Sequence, residues 1–194
     1  MADMLATPEE LASLLQLDYA SLSDETKATL LMLVELATAK VQRAAGGQRI
    51  VDDTDTAVID VEPGYCDLYL PLPQLPVRSV EAVVVEGQPA MDWRLANQML
   101  WRSGGWSDFC HPTQVKVTYS HGYLAGSQWL QLAKDACLSL AALGWNVPAG
   151  ATSEAIDDYR VTYEDADARM VVSDPLRQAI ADAYGVTAYV TESR

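Results

Sequence analysis

The spacing of apolar residues changes twice along this chain. Up to Gly47, and again after Ser127, they recur at three- and four-residue intervals, the period of a helix; from Asp67 to Ser120 they recur every second residue, the period of a half-buried strand. One helical layer or one sheet cannot satisfy both, so an antiparallel β insertion between helical flanks is expected. The last alternating stretch is the clearest. Val115, Val117 and Tyr119 fall on one face and Lys116, Thr118 and Ser120 on the other. His121-Gly122 ends it, and Gly122 can take the positive φ that turns a chain sharply out of a sheet.

The helical flanks carry their own start and stop signals. Thr7-Pro8-Glu9-Glu10 reads as a capping box with proline at the first helical position, opening a short helix whose apolar face is Leu11, Leu14 and Leu15. Asp18 to Leu22 reads as a connection. Ser23-Asp24-Glu25 starts a longer helix with a stripe of Leu30, Leu33, Val34, Ala37, Val41 and Ala44, stopped by Gly46-Gly47. After the insertion a helix is expected from about Ser127 to Leu143. Its residues Trp129, Leu132, Ala133, Ala136, Cys137, Leu140 and Leu143 make an apolar arc wide enough for a central position. Gly144 to Ser153 reads as a loop and Tyr159 to Tyr163 as an extended arm without a nearby partner. Asp174-Pro175 opens a last helix, Leu176 to Tyr184, ended by Gly185.

Within the insertion, strands are expected at Asp67 to Leu70, Ser79 to Glu86, Met91 to Leu95 and Met99 to Arg102, with turns at Glu86-Gly87-Gln88 and Asn97 and a loop from Ser103 to Thr113. Gln48 to Pro63 carries Asp52, Asp53, Asp55, Asp60 and Glu62 and reads as an acidic loop, with Ala57-Val58-Ile59 as a candidate edge strand. The expected fold is α+β: a mainly helical bundle of about four helices carrying a small antiparallel β insertion, an extended arm and a C-terminal tail. As one domain over 1–194 it divides into helices (1–47), acidic loop and β insertion (48–123), helices and arm (124–185) and tail (186–194).

Composition narrows the function. At 194 residues and 49% apolar content the chain can bury a real core. Thirteen Lys and Arg against 27 Asp and Glu leave a formal charge of -14, which repels phosphate and argues against wrapping nucleic acid. No apolar run approaches the roughly 20 residues needed to span a bilayer, and the start lacks the basic-then-apolar pattern of a signal peptide, so a soluble cytosolic product is expected. Cys66, Cys110 and Cys137 lack CxxC spacing and read as reduced, buried thiols.

The chemistry-bearing residues form no recognised catalytic pattern. Asp53-x-Asp55 lacks the glycine and terminal glutamate of a calcium loop. Cys66, Cys110, His111 and His121 are the soft ligands from which a small metal-dependent enzyme would have to be built, but they lack the paired two- to four-residue spacing of zinc sites. Ser120 and His121 are adjacent on a strand and point to opposite faces, and there is no GxSxG, HExxH or GxxxxGK[ST]. Trp93, Trp101 and Trp106 lack the basic groove that base stacking needs and suit the core or a subunit contact. No catalysis, metal or cofactor is expected.

Four pieces in order carry a resemblance: Thr7-Pro8-Glu9-Glu10-Leu11-Ala12-Ser13-Leu14-Leu15, Leu75-Pro76-Val77-Arg78-Ser79-Val80, Val117-Thr118-Tyr119-Ser120-His121-Gly122-Tyr123, and Ser153-Glu154-Ala155-Ile156-Asp157-Asp158-Tyr159-Arg160-Val161-Thr162-Tyr163. Together, over most of the chain, they resemble the head-tail connector (adaptor) proteins of tailed bacteriophages. The chain departs from that pattern at Leu124-Ala125-Gly126-Ser127, where relatives often have a proline-acidic helix start, and in its long acidic Gln48 to Glu62 stretch. The resemblance implies a virion neck protein, made in the host cytoplasm, that assembles as a ring, commonly of twelve copies. Such a ring docks on the portal, receives a neck, stopper or tail protein, and leaves a channel for genomic DNA without catalysis or membrane contact. A stopper or tail-completion protein is the alternative within that class. Twelve copies would carry about -170 formal charges, and any share of these lining a channel would let DNA slide. Four residues are expected to meet partners: Val161 and Tyr163, whose arm would add to a neighbour's sheet, and Tyr189 and Val190, whose tail would meet the portal.

Overall fold

The longest alternating stretch becomes the strand around which a sheet is built. In the computed structural model, which describes residues 4–63, 68–107, 111–145, 153–156, 159–162 and 170–185, the chain divides into two units, Gln48–Ala125 and Met1–Gly47 with Gly126–Arg194. The first is the sheet unit. Its strands are β1 (Asp53–Val61), β2 (Tyr69–Pro71), β3 (Val77–Val85), β4 (Gln88–Pro89), β5 (Trp93–Ala96), β6 (Met99–Arg102) and β7 (Thr113–His121). They form two antiparallel sheets, one in the order β1-β7-β3-β4 and one in the order β2-β6-β5.

β7 is flanked on both sides, and its inward residues Val115, Val117 and Tyr119 are fully buried. The Tyr119 hydroxyl accepts from the Gln74 amide at 3.1 Å, so this buried polar atom is satisfied. Trp106 is also buried, donating its indole N–H to the Leu68 carbonyl at 3.0 Å. The two tight turns have the geometry their sequences favour: Glu86 and Gly87 take φ of 48° and 76°, Asn97 and Gln98 take 50° and 66°, the positive pair that matches strand twist in a two-residue hairpin.

The candidate edge strand at Ala57-Val58-Ile59 is present but much longer than expected, taking in nine residues of the stretch that reads as an acidic loop. β1 pairs with β7 along its whole length, from Asp53↔His121 to Val61↔Thr113. Thr54, Thr56 and Val58 suit that conformation, and the neighbouring carboxylates are answered by cations. Arg49 lies 3.0 Å from Asp53 and 3.5 Å from Asp55, and Arg78 pairs with Asp52. A charge cluster that looks solvated in sequence is thus compatible with a strand once arginines stand beside it.

Gly122 is the most constrained residue of this unit. Its φ is +81°, and a Cβ there would sit 2.4 Å from the Val51 carbonyl oxygen. That close approach lets Tyr123 donate to Ile50 at 2.9 Å and accept from Asp52 at 3.0 Å, tying the exit of β7 to the entry of β1.

The helical unit holds α1 (Pro8–Leu14), α2 (Asp24–Ala44), α3 (Gln131–Trp145) and α4 (Asp174–Tyr184). The capping box of α1 forms in full: Thr7 Oγ1 accepts from the Glu10 amide at 3.3 Å, and Glu10 Oε2 accepts from the Thr7 amide at 3.1 Å. Ser23 caps α2, and Gly46 and Gly47, at φ of 76° and 83°, turn their amides back to the Arg43 and Gln42 carbonyls. Leu30, Val34, Ala37 and Val41 are fully buried on α2, and Ala133, Cys137 and Ala141 on α3. Tyr184 fastens α4, its hydroxyl donating to the Trp129 carbonyl at 2.6 Å and accepting from the Ala133 amide at 3.2 Å.

Three expectations change here. Trp129 belongs to a 3-10 turn, Gln128–Leu130, and is 63% exposed, because the α-helix starts two residues later than its apolar arc suggests. The arm is not without a partner: β9 (Tyr159–Thr162) pairs antiparallel with β8 (Ser153–Ile156), a strand the sequence does not mark. The fold class is α+β, but not a mainly helical bundle. Among the described residues there are four α-helices against two sheets of seven strands and a further hairpin, since the acidic stretch supplies a nine-residue strand where a loop with at most a short edge strand was expected.

Candidate functional site

Of the residues from which a metal site would have to be built, the two described ones, His111 and His121, stand far apart. His121 closes β7 and is fully buried, its ring centroid 5.5 Å from that of Tyr119. His111 is exposed and precedes the start of β7 by two residues. At about 3.3 Å per strand residue the two histidines stand roughly 30 Å apart, far beyond sharing an ion. Cys66 and Cys110 lie outside the described residues. Among the described residues no group of three or more His, Cys, Asp or Glu could hold a metal.

Cys137 is a packing residue. Its sulfur lies 3.5 Å from Thr38 Oγ1 and 3.8 Å from the Val34 carbonyl oxygen. Burial pushes the thiol pKa up against the lowering effect of the Thr38 bond, so the reactive thiolate is disfavoured. The Tyr119 hydroxyl is likewise pushed up by burial. These are groups held neutral in a core, not acids or nucleophiles set up for reaction.

Of the four residues expected to meet partners, Val161 stands in β9 opposite Glu154. Tyr163, Tyr189 and Val190 lie outside the described residues. The structure exposes two further surfaces, one on α2 that the sequence does not single out and one along the edge strand expected at Ala57-Val58-Ile59. On α2, Leu31, Met32 and Leu36 are 38%, 58% and 41% exposed and share with Glu35 a stripe turned away from the buried face. The signal was present: α2 has apolar residues outside its core stripe, and a helix apolar on more than one face usually meets more than one neighbour. In the sheet unit, β1 is an edge strand over its full length with Val58 56% exposed, and a cavity of about 280 Å³ opens beside its end, lined by Ile59, Val61, Leu70 and Pro71. The carboxylates along β1 are the kind of charge that keeps an open edge from pairing at random. No helix among the described residues is long and apolar enough to cross a membrane.

No family model and no curated protein sequence matches the chain. Among solved structures its fold is similar to that of a chain from the neck of an empty GTA particle computed with C6 symmetry, with a TM-score of 0.54 and 18% identity over 77% of this chain and 84% of that one. At that identity the likeness is one of fold, and it covers most of both chains.

Proposed function

We propose that this chain is a structural protein of the neck of a phage-like particle, an adaptor that assembles as a ring between portal and tail and leaves a channel for the genome. The observation that carries the reading is the fold shared with a neck chain over 84% of that chain's length. The sixfold symmetry of that neck is compatible with a ring of six or of twelve. The charge of -14 suits a wall past which DNA must slide without being held. The reading assigns the chain no catalytic activity, cofactor or membrane contact; its partners are copies of itself, the portal, the next neck or tail protein, and passing DNA. A stopper or tail-completion protein belongs to the same class and would use the same surfaces.

Electron micrographs of particles carrying a labelled copy of the chain test the reading. A ring at the neck is the expected image; label in the capsid shell, in the tail tube or absent from particles would overturn it. The portal joint is assigned to the tail, with Tyr189 and Val190 as anchors. Deleting residues 186 to 194 should leave the thermal midpoint unchanged and abolish attachment to portal-bearing heads.

A further inference from the structure

In a chain with twice as many acids as bases, three cations gather at one cleft. Lys40 and Arg43 lie one turn apart on α2, Arg177 reaches the same space from α4, and the cavity between them measures about 450 Å³, within the roughly 300–1,000 Å³ of ligand pockets. Neither Lys40 nor Arg43 forms an ion pair among the described residues, and Arg177 has a loose one, 3.8 Å to Asp174 on its own helix. The cleft also has an apolar side. Met170 and Val172 line it and are themselves buried. Met170 is held in place by Gly144 of α3, where a Cβ would come within 2.9 Å of the methionine sulfur.

Cations at the rim and apolar side chains below match a peptide segment that brings carboxylates together with an apolar stem. Guanidinium groups grip carboxylates through paired hydrogen bonds. A DNA duplex fits less well: it offers a row of phosphates without apolar side chains, and it would have to approach a body of charge -14. That charge also names the source of the carboxylates. Copies of this chain repel one another at long range, so their association needs a place where the sign is locally reversed, and every neighbouring copy brings 27 acids. We propose that the Lys40–Arg43–Arg177 cleft receives a carboxylate-bearing segment of a second copy of this chain and so joins adjacent subunits.

The inference rests on the neck reading for the presence of neighbouring copies. Its test uses the full-length chain, mixed from light and nitrogen-15-labelled batches and treated with a carbodiimide, which links an amine to a carboxylate in direct contact. Mass spectrometry should find Lys40 joined to an Asp or Glu of the other isotopic batch. The double variant K40E/R43E, at solvent-accessible positions, should keep the wild-type thermal midpoint while self-association measured by sedimentation weakens at least tenfold. Lys40 links confined to one chain, wild-type protein that stays monomeric at every salt concentration, or a variant that associates like the wild type would each overturn the proposal. So would a variant that loses only affinity for a short DNA duplex, which would assign the cleft to nucleic acid. Rings at the neck built from K40E/R43E overturn the cleft contact and leave the neck reading standing; a wild-type chain missing from the neck overturns that reading instead.

Discussion

Gly122 shows how one residue without a side chain can hold a sheet together. Alanine there would take a left-handed backbone conformation and drive its Cβ into the Val51 carbonyl, so Gly122→Ala is expected to destabilise the sheet unit by at least about 2 kcal/mol. Chemical denaturation of the variant checks this, and a loss within measurement error would mean that the Val51–Tyr123 bridge is dispensable. Glu10 works differently, because its carboxyl serves two elements at once. Burial pushes its pKa up, but the Lys134 hydrogen bond at 2.5 Å, the Thr7 amide and the lysine charge together outweigh that and hold it below 4.5. A carboxyl lowered in the folded state contributes stability above its unfolded pKa and loses it as pH falls through the folded value. Glu10→Gln should therefore lower the thermal midpoint at pH 7 and match the wild type once pH drops well below 4.5. The gap should correspond to no more than about 1 kcal/mol, since the pair is partly exposed.

At the scale of elements, α2 is the helix with two faces. Its buried face packs where Gly144 permits close approach, 2.8 Å from a would-be Cβ to Leu33; Gly144→Ala should cost about 1–3 kcal/mol as the end of α3 is pushed off Leu33 and Met170. Leu30→Ala, at a fully buried position, should cost about 2–5 kcal/mol. Met32→Ala, on the exposed stripe, should change the stability of the isolated chain by less than about 0.5 kcal/mol. Urea titrations of the three variants compare the faces directly, and an equal loss for Met32 and Leu30 would mean that the outer face is covered within the chain. β1 carries the same duality in the sheet unit. It is bound to β7 along one side and open along the other, with charge rather than another strand as its protection.

For the whole molecule, charge sets the long-range force between copies. Subunits of -14 repel across several ångströms of solvent, a repulsion that salt screens over about 8 Å at physiological strength, while short partly buried pairs are screened much less. Self-association of the pure chain should therefore be weakest at low salt and strengthen as salt is added. Light scattering across a salt series reads this out. A stable ring in the lowest salt would show that local contacts outweigh the repulsion without help.

What the sequence determined by itself is what depends on neighbours a few residues away. The Thr7–Glu10 capping box, the glycine stop after Ala44, the positive-φ turns at Glu86-Gly87 and Asn97-Gln98, and the alternation of β7 are all local, and each stands where its residues place it. The α+β class was legible through the order of such pieces. Tertiary structure decided the rest. Only Ala57-Val58-Ile59 reads as strand in the acidic stretch until Arg49, Arg78 and the whole length of β7 are brought beside Asp53 to Val61. The arm has a partner only once Ser153–Ile156 is folded back on it, and Trp129 lies in the open although its helical spacing points inward. The cationic cleft is the extreme case, because Arg177 stands more than 130 positions beyond Lys40 and Arg43. Period and capping are carried by the covalent chain, whereas the sign of the charge at a surface depends on which distant segments packing brings together.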